Sequence, residues 1–112
     1  MELIAYQDFL KINICVGTIL TAVENKNLNN PSIILTIDFG KIIGIKKSSA
    51  QLRANYNCRD LLNKQIAAVI NFPPKQIGNL ISEVLVLGFP DDNNEPISIS
   101  PEFKIKNGKK LY

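Results

Sequence analysis

Apolar positions alternate with a period of two along most of the chain, the signature of half-buried β-strands. Residues 32–40 show it most cleanly. Ile33, Leu35, Ile37 and Phe39 fall on one face, and Ile34, Thr36 and Asp38 on the other. Residues 11–25 predict a longer strand. Ile12, Ile14, Val16, Thr18, Leu20 and Ala22 share one parity, with Ile19 and Val23 on the other. The apolar face is expected to change after Gly17, because an interior glycine marks a bulge or bend. Further strands are expected over residues 41–47, after a Gly40-Lys41 turn, over 65–72 and over 84–89.

Two segments follow a helical spacing instead. Tyr6, Phe9 and Leu10 recur at i, i+3 and i+4 and predict a short helix over residues 5–11. Such a helix has to pack on something to persist. Asn57 is placed to cap a second short helix over 58–63, with Asp60 three positions on to reach back toward the cap. Residues 25–31 are rich in turn formers. Beyond Pro90 the chain is polar and punctuated by proline, with a brief alternation at Ile97 and Ile99. It ends in a basic run carrying Lys104, Lys106, Lys109 and Lys110, which reads as a solubilising tail or a basic patch. The order is helix, three strands, short helix, two strands, extension. It predicts an all-β fold with short helices: a five-stranded Greek-key barrel of the OB type, with an N-terminal helix and a C-terminal extension. An SH3-like barrel does not usually carry a helix between its third and fourth strands.

The 112 residues predict a single domain spanning 1–112, with 46% hydrophobic residues and a mean hydropathy of +0.05. This composition is slightly rich for so small a monomer and points to a subunit interface. The net charge is +3, from 13 basic and 10 acidic residues, which permits nucleic-acid contact without demanding it. Only Arg53 and Arg59 are arginines, the residue suited to bidentate phosphate and base contacts. The first residues lack the basic and apolar regions of a secretory signal. The longest apolar runs are too short to span a membrane. Cys15 and Cys58 have no CxxC spacing, so a reduced, cytoplasmic setting is the expectation.

Histidine and tryptophan are absent. Without histidine, the usual general base and the commonest metal ligand are missing. No Ser-His-Asp or Cys-His arrangement can form, two lone cysteines make no structural zinc site, and no phosphate-cradling glycine motif occurs. Asp91 and Asp92 sit in a Pro-Asp-Asp-Asn-Asn stretch that reads as a turn. A non-enzymatic binding module with no cofactor and no metal is the expectation.

Binding residues are sought in two segments. Gly44-Ile45-Lys46-Lys47-Ser48-Ser49-Ala50-Gln51 is expected to leave the third strand with two lysines, two hydroxyls and an amide. These are donors for phosphate or peptide backbone, or else a charged strand end with a serine cap. Asn71-Phe72-Pro73-Pro74-Lys75-Gln76-Ile77-Gly78 ends a strand at two prolines, which cannot donate to a ladder. It reads as a rigid corner or as a recognition loop. The outward positions of the second strand, Ile34, Thr36 and Asp38, offer no aromatic for base stacking. That disfavours sequence-independent single-strand binding on this face.

These two segments, with Tyr6-Gln7-Asp8-Phe9-Leu10-Lys11, Val16-Gly17-Thr18-Ile19, Ile37-Asp38-Phe39-Gly40 and Ser82-Glu83-Val84-Leu85, closely resemble the CsaA family, export-related chaperones with the tRNA-binding-domain OB-fold. The resemblance runs through nearly the whole chain in order. It implies a homodimer in which Tyr6, Phe9 and Leu10 and the C-terminal segment contribute to the interface. It also implies a chaperone that binds unfolded or preprotein segments and assists secretion. On that reading Ile34, Phe72 and Ile77 supply apolar wall beside the Asn71, Pro73 and Pro74 corner, and Lys46, Lys47, Ser49, Gln51 and Gln76 supply polar contacts. The alternative ligand is tRNA, recognised by its structure across the dimer through Lys46, Lys47, Arg53, Lys75 and the C-terminal lysines. A third possibility is an interaction domain for another protein. The chain departs from the family pattern at Asn13 and Cys15, where a charged pair is common, and at Ile34 and Ile81, where basic residues are common.

Overall fold

A computed structural model describes residues 1–26 and 31–112. The expected turn over 25–31 thus lies largely outside the described residues. The elements in order are α1 (Tyr6–Leu10), β1 (Ile14–Asn25), β2 (Ser32–Asp38), α2 (Gly40–Ile43), β3 (Ile45–Ala50), α3 (Cys58–Leu61), β4 (Gln65–Val69), β5 (Lys75–Ile77), β6 (Leu80–Ser82), β7 (Leu85–Val86), β8 (Gly88–Pro90) and β9 (Pro96–Ser98). An antiparallel five-stranded sheet in the order β3-β2-β1-β4-β7 curls around the core. Strands one to three form a meander and β4 returns beside β1, which is the Greek-key path of an OB-type fold.

The core follows the β2 alternation. Ile33, Leu35, Ile37 and Phe39 are buried, and Leu61 of α3 and Ile66 and Ala68 of β4 pack with them. α3 starts as expected, with Asn57 Oδ1 accepting the Asp60 N–H at 2.9 Å. In β1 the inward face is carried by Cys15 and Ile19, not by the even-numbered parity. The face changes at Leu20, which has no partner: Ile19 pairs with Ile37 and Thr21 with Thr36, so Leu20 is a bulge. Ala22 then turns inward. Gly17 serves a different purpose. A Cβ there would lie 2.6 Å from Ile37 Cγ2 and 2.8 Å from the Phe39 ring, so the glycine lets the Phe39 ring lie against the β1 backbone.

Four further expectations are corrected. Residues 41–43 are one helical turn, not the start of a strand, because Gly40 (φ 90°) and Gly44 (φ 88°) turn the chain at both ends. The strand begins at Ile45, so the Lys46-Lys47-Ser48-Ser49 motif lies within β3 instead of leaving it. The expected strand over 65–72 ends at Val69, where the chain leaves the ladder and Ile70 N–H donates to Asn13 O at 2.9 Å. The segment over 84–89 divides into β7 and β8, since at Gly88 the chain runs close against the Ile97 carbonyl.

The basic tail is not free. Residues 99–111 form a strap along β4 and β1. The Gln65 side chain, buried in β4, donates to Ile105 O and Asn107 Oδ1 and accepts the Ile105 N–H. Gly108 N–H donates to Val16 O, Val16 N–H to Lys109 O and Leu111 N–H to Ile14 O. No helix among the described residues is long and apolar enough to cross a membrane.

Candidate functional site

The two prolines lead into a hairpin, β5–β6. Lys75 pairs with Ser82 and Ile77 with Leu80. Gly78 (φ 61°) takes the first position of the two-residue turn, which type II′ hairpins reserve for glycine. Gln76 closes it through Nε2 to Gly78 O at 2.7 Å. The hairpin stands beside β3, and the two enclose a cleft of about 380 Å³. Phe72, Pro73, Ile77, Val84 and Leu85 give the apolar part of the lining, and Ser49, Lys75, Ser82 and Glu83 the polar part. Phe72 and Leu85 are each about half exposed, at 52% and 50%, so the cleft has a partly open apolar surface.

The β3 edge beside the cleft is covered by the backbone and side chains of Ser82 and Glu83. Glu83 Oε1 accepts the Lys47 N–H at 3.0 Å, and Glu83 N–H donates to Lys47 O at 2.8 Å. Ser82 Oγ accepts the Ser49 N–H at 3.0 Å, and Ser48 Oγ donates to Val84 O at 2.9 Å. These bonds mimic strand pairing, join the two ends of the curled sheet and blunt an edge that would otherwise pair with other chains. Ser82 and Glu83 were not among the residues assigned to a site from sequence. Their conjunction in Ser-Glu-Val-Leu was the available signal.

The structure brings together Ser49, Phe72, Pro73, Lys75 and Ile77. Ile34 lies one strand away, paired with Ser49. Lys46 stands 3.9 Å from Glu83, both partly exposed, a pair worth little in water. Lys47, Gln51 and Pro74 are exposed and do not line the cleft. Arg53 pairs with Glu24 at 3.6 Å. Lys75 makes no ion pair with the described residues.

Asn71 faces elsewhere. Its Oδ1 accepts the Asn13 N–H and its Nδ2 donates to Lys11 O, each at 2.8 Å, which fixes the passage from α1 into β1. Asn71→Ala is therefore expected to lower stability by about 1–2 kcal/mol. Urea unfolding measures this, and protease cleavage should begin near α1. α1 itself buries no residue; Tyr6 and Leu10 are 64% and 44% exposed, with Phe9 partly covered.

No group of three or more His, Cys, Asp or Glu residues is placed to hold a metal among the described residues. Burial pushes the Cys15 thiol above its ordinary value, only partly opposed by the Lys110 charge. That is the reverse of what a thiolate nucleophile needs.

The family model described as "Putative tRNA binding domain" matches residues 14–110. The chaperone CsaA from Bacillus anthracis superposes with a TM-score of 0.93 at 40% identity, over 99% of this chain and 100% of that one. The CsaA chaperone protein from Picrophilus torridus gives 0.91 at 46% identity, over 98% and 100%. The chain belongs to the CsaA family. The fold is shared more widely, for example with a MetRS-related protein from Pyrococcus horikoshii at a TM-score of 0.88 and 20% identity. Methionine--tRNA ligase from Pyrococcus horikoshii is 29% identical over 99% of this chain, which spans only 15% of that protein's length. In this CsaA-family chain the Asn71–Gly78 motif thus builds both a structural clamp, through Asn71, and a cleft wall, through Phe72, Pro73 and Ile77.

Proposed function

We propose that this protein is a cytoplasmic, non-enzymatic, homodimeric chaperone that holds unfolded or export-bound polypeptide segments in the cleft beside Pro73 and Pro74 and so assists secretion. The observation that carries this reading is the cleft lining. Phe72, Ile77, Val84 and Leu85 give apolar surface, and Ser49 and Ser82 give hydroxyls beside the capped β3 edge. An extended client segment buries an aliphatic or aromatic side chain there, and the drive is apolar burial. Likeness to two CsaA chaperones supports the reading.

tRNA binding is the second reading, favoured by the matched family's description and by the methionine--tRNA ligase relatives. It would rest on Lys46, Lys47, Arg53, Lys75 and the strap lysines. Two of these, Lys46 and Arg53, already face carboxylates. Phosphate binding driven by counterion release falls steeply with salt, and apolar burial does not. Titrating a denatured client and total tRNA across a salt series separates the two. A client affinity that holds while tRNA affinity collapses supports the chaperone. Failure to delay client aggregation at any salt would overturn it.

The homodimer is expected to form through α1 and the strap. Between the strap and the β1–β4 surface lies an apolar groove of about 510 Å³, lined by Ile14, Val16, Ala67, Ile105 and Leu111. Lys110 Nζ donates to Leu10 O, so α1 lies next to this groove. Leu111 is 49% exposed, and Leu111→Asp is expected to convert the dimer to a monomer without unfolding it. Light scattering reads the change. A wild-type monomer at micromolar concentration would sink the dimer itself.

A further inference from the structure

A second cleft lies away from the hairpin, between α2 and the strap. It measures about 690 Å³ and is lined by Phe39, Ile42, Ile43, Lys41, Lys106 and Lys109 along with intervening backbone. Its composition is unusual in two ways. Ile42 is completely exposed, at 101%, on a turn that gains nothing from showing it to water. The three lysines are also exposed, none forms an ion pair with the described residues, and no carboxylate lines the cleft.

Both walls are held in place before anything binds. Gly44 N–H donates to Gly40 O at 2.7 Å, Phe39 N–H to Gly44 O at 3.0 Å and Gly40 N–H to Asp38 Oδ1 at 2.8 Å, which fixes α2. Asn107 accepts from Thr18 Oγ1 and from Gln65, which fixes the strap. The walls meet where neither tolerates a side chain. A Cβ on Gly40 would lie 2.9 Å from Asn107 O, and one on Gly108 2.6 Å from Phe39 O. A rigid apolar tip ringed by cations binds with little loss of conformational entropy.

We propose that this cleft docks a partner protein through a short acidic segment with one or two aliphatic side chains, its carboxylates on Lys41, Lys106 and Lys109 and its aliphatic group on Ile42 and Ile43. The proposal does not rest on the client cleft; Lys109 also lines the groove given to the dimer, whereas Lys41, Ile42 and Lys106 do not. Charge complementarity selects the occupant. RNA would satisfy the lysines and leave Ile42 uncovered, and the cleft offers neither arginine nor a stacking surface. The exposed segment Met1-Glu2-Leu3-Ile4 of a second copy has the apolar groups but a single carboxylate for three lysines.

The test uses the full-length protein and a fluorescein-labelled peptide of two leucines flanked by glutamates, read by anisotropy. Saturable binding is expected, weakened about tenfold by Ile42→Asp and by Lys106→Glu, weakened as much for the same peptide with lysines in place of glutamates, and weakened less by Phe72→Ala. Ile42→Ser and Lys106→Ser repeat the test without reversing charge, and thermal melts establish that each variant is folded. No binding, an equal effect of Phe72→Ala, or no effect of Ile42→Asp would overturn the proposal. So would full displacement of the peptide by tRNA together with equal tRNA binding by Ile42→Asp, which marks a general polyanion surface. A disulfide between Leu3→Cys of one copy and Ile42→Cys of another, in a background without the native cysteines, would assign the cleft to self-association instead.

Discussion

Gly17→Ala is expected to destabilise the protein by about 3 kcal/mol, the upper end of what overpacking a core costs. Gly17 pairs with Ile66 in the middle of the sheet and is buried. The new Cβ would lie 2.6 Å from Ile37 Cγ2 and 2.8 Å from two carbons of the Phe39 ring. Ile37 and Phe39 are at most 1% exposed, so neither can swing into solvent to make room. Phe39 is also the largest fully buried side chain and stands at the start of α2. Relief thus requires β1 to move off β2 or the ring to shift among its neighbours, and close-packed interiors resist both. For a domain of this size the corresponding fall in melting temperature is roughly 4–8 °C per kcal/mol. Urea unfolding measures the loss directly. A change below about 0.5 kcal/mol would mean that the strand and ring do not approach as closely as described.

The same residue shows what sequence alone conveys. Glycine in a strand correctly signalled an irregular requirement, but the requirement was contact with a ring more than twenty positions away, and the change of face occurs at Leu20. A bulge leaves no local signature when the extra residue is an ordinary leucine. The β2 alternation was legible because one face is buried along the entire strand, and the Asn57 cap because capping is local. Ile42 and Ile43 looked like strand because their apolar character matched one, while the turn is set by the left-handed glycines on either side. The strap was least legible. Its hydrogen bonds to Gln65 span about forty positions, and its lysines suggested a solvated tail when its backbone is what binds. Within the candidate site, the residues that meet, Ser49, Phe72, Pro73, Lys75 and Ile77, came from two motifs seen in sequence. Asn71 and Gln76 belong to the same motif and are committed to holding the backbone. Glu83 was missed because its work is done through hydrogen bonds to β3, thirty-six positions away.

Phe72→Asp is expected to reduce client affinity by about tenfold or more and leave the fold intact. The ring is 52% exposed and forms part of the cleft wall with Ile77 and Leu85. Burying a whole phenylalanine side chain is worth about 1.5–3 kcal/mol, so covering the exposed half with a client gives about 1 kcal/mol or more. A carboxylate in its place forfeits that gain and must itself lose water against an apolar client, a further cost in the same direction. A total near 1.4 kcal/mol is a factor of ten in affinity. Stability should change by no more than about 0.5–1 kcal/mol, since the exposed half of the ring contributes little to folding. The decisive comparison is with Lys75→Ala in the same cleft. Polypeptide binding predicts a large loss from Phe72→Asp, a small one from Lys75→Ala and little dependence on salt. tRNA binding predicts a loss from Lys75→Ala that shrinks as salt rises, and a loss from Phe72→Asp that comes from charge repulsion and is screened in the same way. Client aggregation followed by light scattering, beside tRNA binding at low and high salt, reads both variants. Undiminished protection by Phe72→Asp would remove the cleft as the client site, because no other wall residue combines its size with its exposure.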